Sequence, residues 1–304
     1  RLDGQFWSNL FVHRGILFLM GTDKEHGNLI IRRSEDRGNT WSSPIDSITG
    51  LLRTGEYHTA PMPVISYRGR IWRAVECARS NTDIWGKRYS AMIISAPDSA
   101  DLLQAASWSV TDSLPYDSTY LDGKFGAWLE GNAVVTPDGN VADLLRVDYA
   151  PGPEYAALIR LRDSVSFDPF DPEKYFVPMP GGANKFTVRY DSLSGRYWSL
   201  VNYVTQEWAG KQNPAWVRNT LALSSSPNLQ EWTVHRTVLH HPDIAKHGFQ
   251  YADWLFDGND IVLLSRTAYD DNGTGAHNCH DANYMTFHRI KNFRKALTEQ
   301  AGNR

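Results

Sequence analysis

Four residues combine a side chain able to move a proton or form a bond with a place where an apolar run begins: His58, Glu130, Tyr251 and Asp253. Glu130 closes Trp128-Leu129-Glu130, Asp253 closes Tyr251-Ala252-Asp253, and His58 closes Glu56-Tyr57-His58. Two carboxyl groups, one protonated and one ionised, are what general acid–base cleavage of an acetal requires. Glu130 and Asp253 are the preferred pair because neither has a cation next to it in sequence, and their roles stay undivided. An imidazole can give or take a proton near neutral pH, which makes His58 a candidate, the alternative being a satisfied structural histidine. The run His277-Asn278-Cys279-His280-Asp281 holds metal-capable side chains but lacks zinc spacing, so it reads as a structural loop. Neither a metal nor a cofactor is expected.

Arg73, Arg146 and Arg266, with Asn202, stand at corresponding places late in apolar runs (Ile71-Trp72-Arg73, Leu145-Arg146-Val147, Ser265-Arg266-Thr267). A guanidinium inside an apolar strand is costly unless it meets an anion, and its planar fork suits a carboxylate or sulfate. These arginines, with Lys185, predict a pocket for an anionic ligand; the alternative pairs each with Glu76, Asp148 or Asp270. Trp7, Trp128, Trp208 and Trp254 are candidates for stacking on a ring-shaped ligand, although core packing claims most tryptophans.

The elements that must position these residues recur. Five segments share one form, an apolar strand, a tight polar turn and a second apolar strand: Asn9 to Asp23, Pro61 to Glu76, Asn132 to Asp148, Lys185 to Tyr203 and Asp253 to Ala268. Their turns carry Gly or Asp-Gly, the strongest local hairpin signals. A third strand follows each, at Asn28 to Arg33, Tyr89 to Ser95, Tyr155 to Arg162, Thr220 to Ser226 and Asn283 to Ile290, and fourth strands are expected at Trp41, Trp108 and Trp232. Repeated four-stranded units without helical periodicity predict an all-β fold, a five-bladed β-propeller forming one domain over 1–304. The N-terminal stretch through Trp7 is expected to supply the outer strand of the last blade. A six-bladed ring and a β-sandwich are the alternatives; a sandwich would not require the five-fold recurrence.

Composition narrows the partners. Lys plus Arg is 31 against 34 for Asp plus Glu, a net charge of −3, which argues against a nucleic-acid partner. No apolar run approaches the ~20 residues that span a bilayer. The chain opens at Arg1 without Met or signal peptide and reads as a processed protein, expected to be secreted or periplasmic. Cys77 and Cys279 are too few for a disulfide scaffold and read as buried free thiols.

Ser34-Glu35-Asp36-Arg37-Gly38-Asn39-Thr40-Trp41 fits S-x-D-x-G-x-T-W and resembles the Asp-box of the sialidase and BNR-repeat superfamily. Ser225 to Trp232 is a degenerate relative in the fourth unit. The resemblance implies a sialidase-like, carbohydrate-active propeller whose site lies at the axis, an exo-acting glycosidase on an anionic glycan end with an arginine cluster binding the substrate. The chain departs from sialidases in its five units and in lacking an F-R-I-P motif, which puts sialic acid itself in doubt. Two other functions use the same residues: a polysaccharide lyase, with His58 or Tyr251 removing a proton beside a uronate carboxylate, and a non-catalytic carbohydrate-binding propeller. All three take an oligosaccharide or polysaccharide partner.

Overall fold

The structure, a computed structural model, describes residues 2–78, 82–149 and 152–299. Its first sheet runs β1 (Phe6–His13), β2 (Ile16–Thr22), β3 (Leu29–Ser34), β4 (Leu51–Arg53), each hydrogen-bonded to the next. The second contains β5 (Tyr57–His58), β6 (Ile65–Tyr67), β7 (Arg70–Ala78), β8 (Tyr89–Pro97) and β9 (Ser109–Val110), with β5 and β6 both pairing β7. The third runs β10 (Phe125–Val135), β11 (Val141–Tyr149), β12 (Tyr155–Arg160), β13 (Phe176–Pro178), and the fourth β14 (Thr187–Asp191), β15 (Arg196–Asn202), β16 (Thr220–Ser226), β17 (Thr233–His240). The fifth has three strands among the described residues: β18 (Gly248–Asp257), β19 (Asp260–Ala268) and β20 (Tyr284–Ile290). Five consecutive antiparallel meanders with few helices make this a five-bladed β-propeller.

Turn chemistry explains the register. His13 pairs Ile16 and Tyr67 pairs Arg70, so Arg14-Gly15 and Arg68-Gly69 are two-residue loops. All four residues have positive φ, 50° and 78° in the first loop and 48° and 70° in the second, the backbone twist that suits a tight hairpin. In the turn after β3, Asp36 Oδ1 accepts the Thr40 N–H at 2.8 Å, Gly38 adopts φ +94°, and the Trp41 indole donates to Gly38 O. The Thr40 hydroxyl is the largest of the contacts that hold the Asp36 carboxyl down to about 2. The turn before β17 repeats the device: Asn228 accepts two backbone N–H groups, Leu229 takes φ +67°, and the Trp232 indole donates to Leu229 O.

Two expectations are corrected. Trp41 lies inside its turn, and the fourth strand begins ten residues later at Leu51, because the indole is held by the turn's own carbonyl. The N-terminal stretch does not serve as the outer strand of the last sheet, since Phe6–His13 is consumed as the first strand of the first sheet, paired with β2.

The chain divides into two compact units, Arg1–Leu145 with Ala157–Tyr175, and Arg146–Ala156 with Phe176–Arg304. The first buries Met20, Leu29, Ile31, Tyr57, Ile71, Val75, Met92, Ile94 and Trp108 in one cluster. The second buries Trp198, Leu200, Leu223, Trp254, Ile261, Leu263 and Phe293. Each such side chain contributes ~1.5–3 kcal/mol on leaving water. Both cysteines are buried, and neither is in a disulfide among the described residues. Among the described residues no helix is long and apolar enough to cross a membrane.

Candidate active site

In the first unit, the pairing of β5 with β7 sets His58 directly opposite Glu76. The consequence is a hydrogen bond of 2.8 Å between His58 Nδ1 and Glu76 Oε2, both residues being buried. The other carboxylate oxygen, Oε1, accepts the Gly131 N–H at 3.0 Å, so Glu76 is fixed from two sides. A carboxylate on Nδ1 orients the imidazole and leaves Nε2 as the nitrogen free to act on a proton. The ring is stacked on Tyr89 and met edge-on by Trp7, with centroids 4.7 Å away in each case. The Tyr89 hydroxyl shares a hydrogen bond with His26 Nε2, and burial pushes the phenol's pKa up. Burial first, and then the charges of His58 and Arg88, hold His26 below the ordinary imidazole value.

Glu130 immediately precedes the glycine that holds Glu76. It is buried and adopts φ +53°, a conformation that costs a residue with a side chain ~1–3 kcal/mol. Beyond Gly131 lies Asp143 on β11, so close that a β-carbon at 131 would stand 2.2 Å from Oδ1. Both Asp143 oxygens are out of solvent without a hydrogen-bond partner, and burial, followed by the charge of Glu76, raises its pKa well above the carboxylate range. Asp143 thus stands buried and unpartnered beside the carboxylate that orients His58.

Arg73 is fully buried and donates to Met62 O at 2.9 Å, Ala60 O at 3.1 Å and Thr59 Oγ1 at 3.4 Å. It clamps the segment that leaves His58. Trp128 is enclosed: its indole donates to Pro115 O, and Phe125, Tyr120 and Phe170 pack around it, an arrangement of core rather than of a sugar platform.

The second unit gathers cations. Arg266 lies over the Tyr251 ring at 4.9 Å and donates to His280 O, and Arg218 lies over the same ring at 5.7 Å while donating to Gln250 Oε1 at 2.6 Å. Arg146 donates to Ala183 O at 2.8 Å, and Lys185 Nζ bonds Thr187 Oγ1 and Ala252 O. Asn202 ties Arg218 O to Phe249 O. Asp253, expected to stand without a cation, has Arg189 at 3.3 Å and also accepts the Trp254 N–H. Glu130 and Asp253 fall in different units.

Sequence reasoning considered Glu76 only as an arginine's partner, whereas it bonds His58, and it missed Asp143, Arg218 and Glu154. Burial lifts the Glu154 carboxyl to about 8 against the N–H groups of Gly181 and Ala183, which pull it down. It also missed a shared backbone device. Trp7, Glu130 and Tyr251 all have positive φ, 44°, 53° and 50°, each on a first strand. Each opens a matching tripeptide: Trp7-Ser8-Asn9, Glu130-Gly131-Asn132, Tyr251-Ala252-Asp253. At Trp7 and Tyr251 the strand register shifts across this tripeptide. Such bulges re-aim a side chain and cluster beside functional sites.

No protein-family model matches the sequence, and no curated protein matches it. Solved structures do. An α-L-arabinofuranosidase from Lactobacillus brevis is 10% identical with a TM-score of 0.56, covering 96% of this chain and 94% of its own. A family 43 glycoside hydrolase, a β-1,3-galactosidase, is 12% identical with a TM-score of 0.54, covering 90% and 93%. The Trypanosoma rangeli sialidase is 12% identical with a TM-score of 0.52; this chain is covered over 96% but spans only 48% of the sialidase chain. At such identities the likeness establishes the fold, and that fold is the propeller shared by these proteins.

Proposed function

We propose that the protein is a glycoside hydrolase, sialidase-like in architecture and acting on an anionic glycan end. The observation that carries this reading is the His58–Glu76 pair anchored to the backbone beside Glu130. Glycoside hydrolysis needs a proton donor for the leaving oxygen and a second group that activates water or attacks the anomeric carbon. Glu130 is assigned as the donor, and His58, oriented by Glu76, as the base acting on water. Three of the structural neighbours are glycosidases by their own descriptions, which supports the class of reaction.

The second unit, by itself, is assigned an anion-binding role. Two guanidiniums rest on one Tyr251 ring, and a substrate carboxylate or sulfate is the ligand that suits such a fork. Tyr251 serves there as the platform, and Asp253, held by Arg189, as a fixed carboxylate.

A lyase is the second reading, favoured by one observation: a histidine backed by a carboxylate is equally a base for a C–H proton. Incubation with sulfated, uronate and sialylated glycans separates the two. Reducing ends without ultraviolet-absorbing unsaturated uronate support the hydrolase, unsaturated product supports the lyase, and no product from any anionic glycan counts against both.

A further inference from the structure

The loop joining β17 to β18 carries three potential ligands unrelated to the groups above. His241, Asp243 and His247 each offer one ligand atom, and these atoms lie within 4.8 Å of one another. The loop's own bonds hold them there. Asp243 Oδ1 accepts the Ala245 N–H and Oδ2 accepts the Lys246 N–H, while the Asp243 N–H donates to His241 Nδ1 at 3.1 Å. That last bond means His241 Nδ1 presents a lone pair toward the loop. The two imidazoles stack with centroids 3.5 Å apart, and Tyr269 closes on both edge-on.

The second observation is an unsatisfied atom. His247 is only 4% exposed, and its Nδ1 bonds Asp243 Oδ2 at 2.8 Å. Its buried Nε2 has no hydrogen-bond partner and faces Asp270 Oδ1 across 3.5 Å. With a cation on Nδ1, the Nε2–H would donate to Asp270, the carboxylate–histidine–metal arrangement that fixes ligating imidazoles.

We propose that His241, Asp243 and His247 bind a divalent transition-metal ion of the zinc class, with Asp270 as the outer carboxylate on His247. Two imidazoles and one carboxylate form a donor set zinc accepts, leaving a fourth position for water or a small ligand. Seating the ion requires the stacked rings to splay, at ~2.0–2.1 Å from each nitrogen.

Calorimetric titration of the chelator-treated full chain, without a histidine tag, with zinc chloride tests this. The expected result is one saturable ion per chain, lost in His241→Ala and in His247→Ala, and weakened ~10- to 100-fold in Asp270→Asn. Melting curves of the variants accompany the titration. Should His247→Ala fail to fold, the less buried His241→Ala and the surface Asp270→Asn decide. No saturable binding by the parent chain, or binding that these variants leave unchanged, overturns the proposal.

Discussion

The first unit gathers carboxyl groups around a histidine and the second gathers guanidiniums around a tyrosine. Around His58 the notable groups are carboxyls, Glu76, Glu130 and Asp143, all buried, with Gly131 bonded to Glu76, next to Glu130 in the chain and packed close to Asp143. Around Tyr251 they are guanidiniums, Arg218 and Arg266, anchored to Gln250 Oε1 and His280 O. Both regions use the same strand device, a positive-φ residue followed by a small residue and then Asn or Asp. The same backbone solution thus displays Glu130 in one setting and Tyr251 in the other. The lesson is that a repeated fold supplies position, and the neighbours recruited at each repeat supply the chemistry.

The largest expected effect is in the first unit. His58→Ala and Glu76→Gln should each lower turnover ~10²- to 10⁴-fold with KM little changed, as expected on removal or misorientation of a proton-transfer group. Steady-state kinetics on a cleaved anionic glycan would measure it. Arg266→Met should show the opposite pattern, KM rising ~10- to 100-fold with smaller loss of turnover, because a charge-assisted bond worth ~1.5–3 kcal/mol is lost. A loss of turnover alone in Arg266→Met would erase the contrast between the units.

Two smaller effects concern stability. Gly131→Ala drives a methyl into Asp143 and should destabilise the fold by ~1–3 kcal/mol in urea unfolding, and shortening Asp143 to Ala in the same chain should recover part of that. Glu154 holds a proton in the folded protein that the unfolded chain releases. Its contribution to stability therefore falls as pH rises from its ordinary value of 4.5 to about 8, and is constant above. Glu154→Gln should flatten the pH dependence of the melting temperature over that window. An unchanged slope would mean the carboxyl is not held neutral.

Much of the fold was legible because glycine punctuates it: Arg14-Gly15, Arg68-Gly69 and the Gly258 turn fix hairpins whose strands read as apolar runs. Trp41 misled because an indole ending a turn looks like the start of a strand. The site was legible only in part. His58 and Glu130 could be singled out because each is a polar residue where the sequence suggests the start of an apolar run, although β10 in fact starts at Phe125 and holds Glu130 in its middle, whereas Glu76 and Asp143 gain meaning only from register across strands, over 18 residues in the case of His58 and Glu76. The arginine positions could be read, but their acceptors could not, since Met62 O, Ala183 O and His280 O belong to backbone that no side-chain pattern announces. Sequence did carry one unused signal, the tripeptide pattern shared by Trp7, Glu130 and Tyr251.

The central claim, proton donation by Glu130 to a leaving oxygen, is tested most directly by comparing Glu130→Gln with the parent chain on two substrates. One is the natural glycan, and the other is the same sugar joined to an acidic phenol that departs without protonation. The account predicts a loss of ~10²-fold or more on the glycan and a much smaller loss on the aryl glycoside. Equal losses on both substrates, or no loss on either, would contradict it.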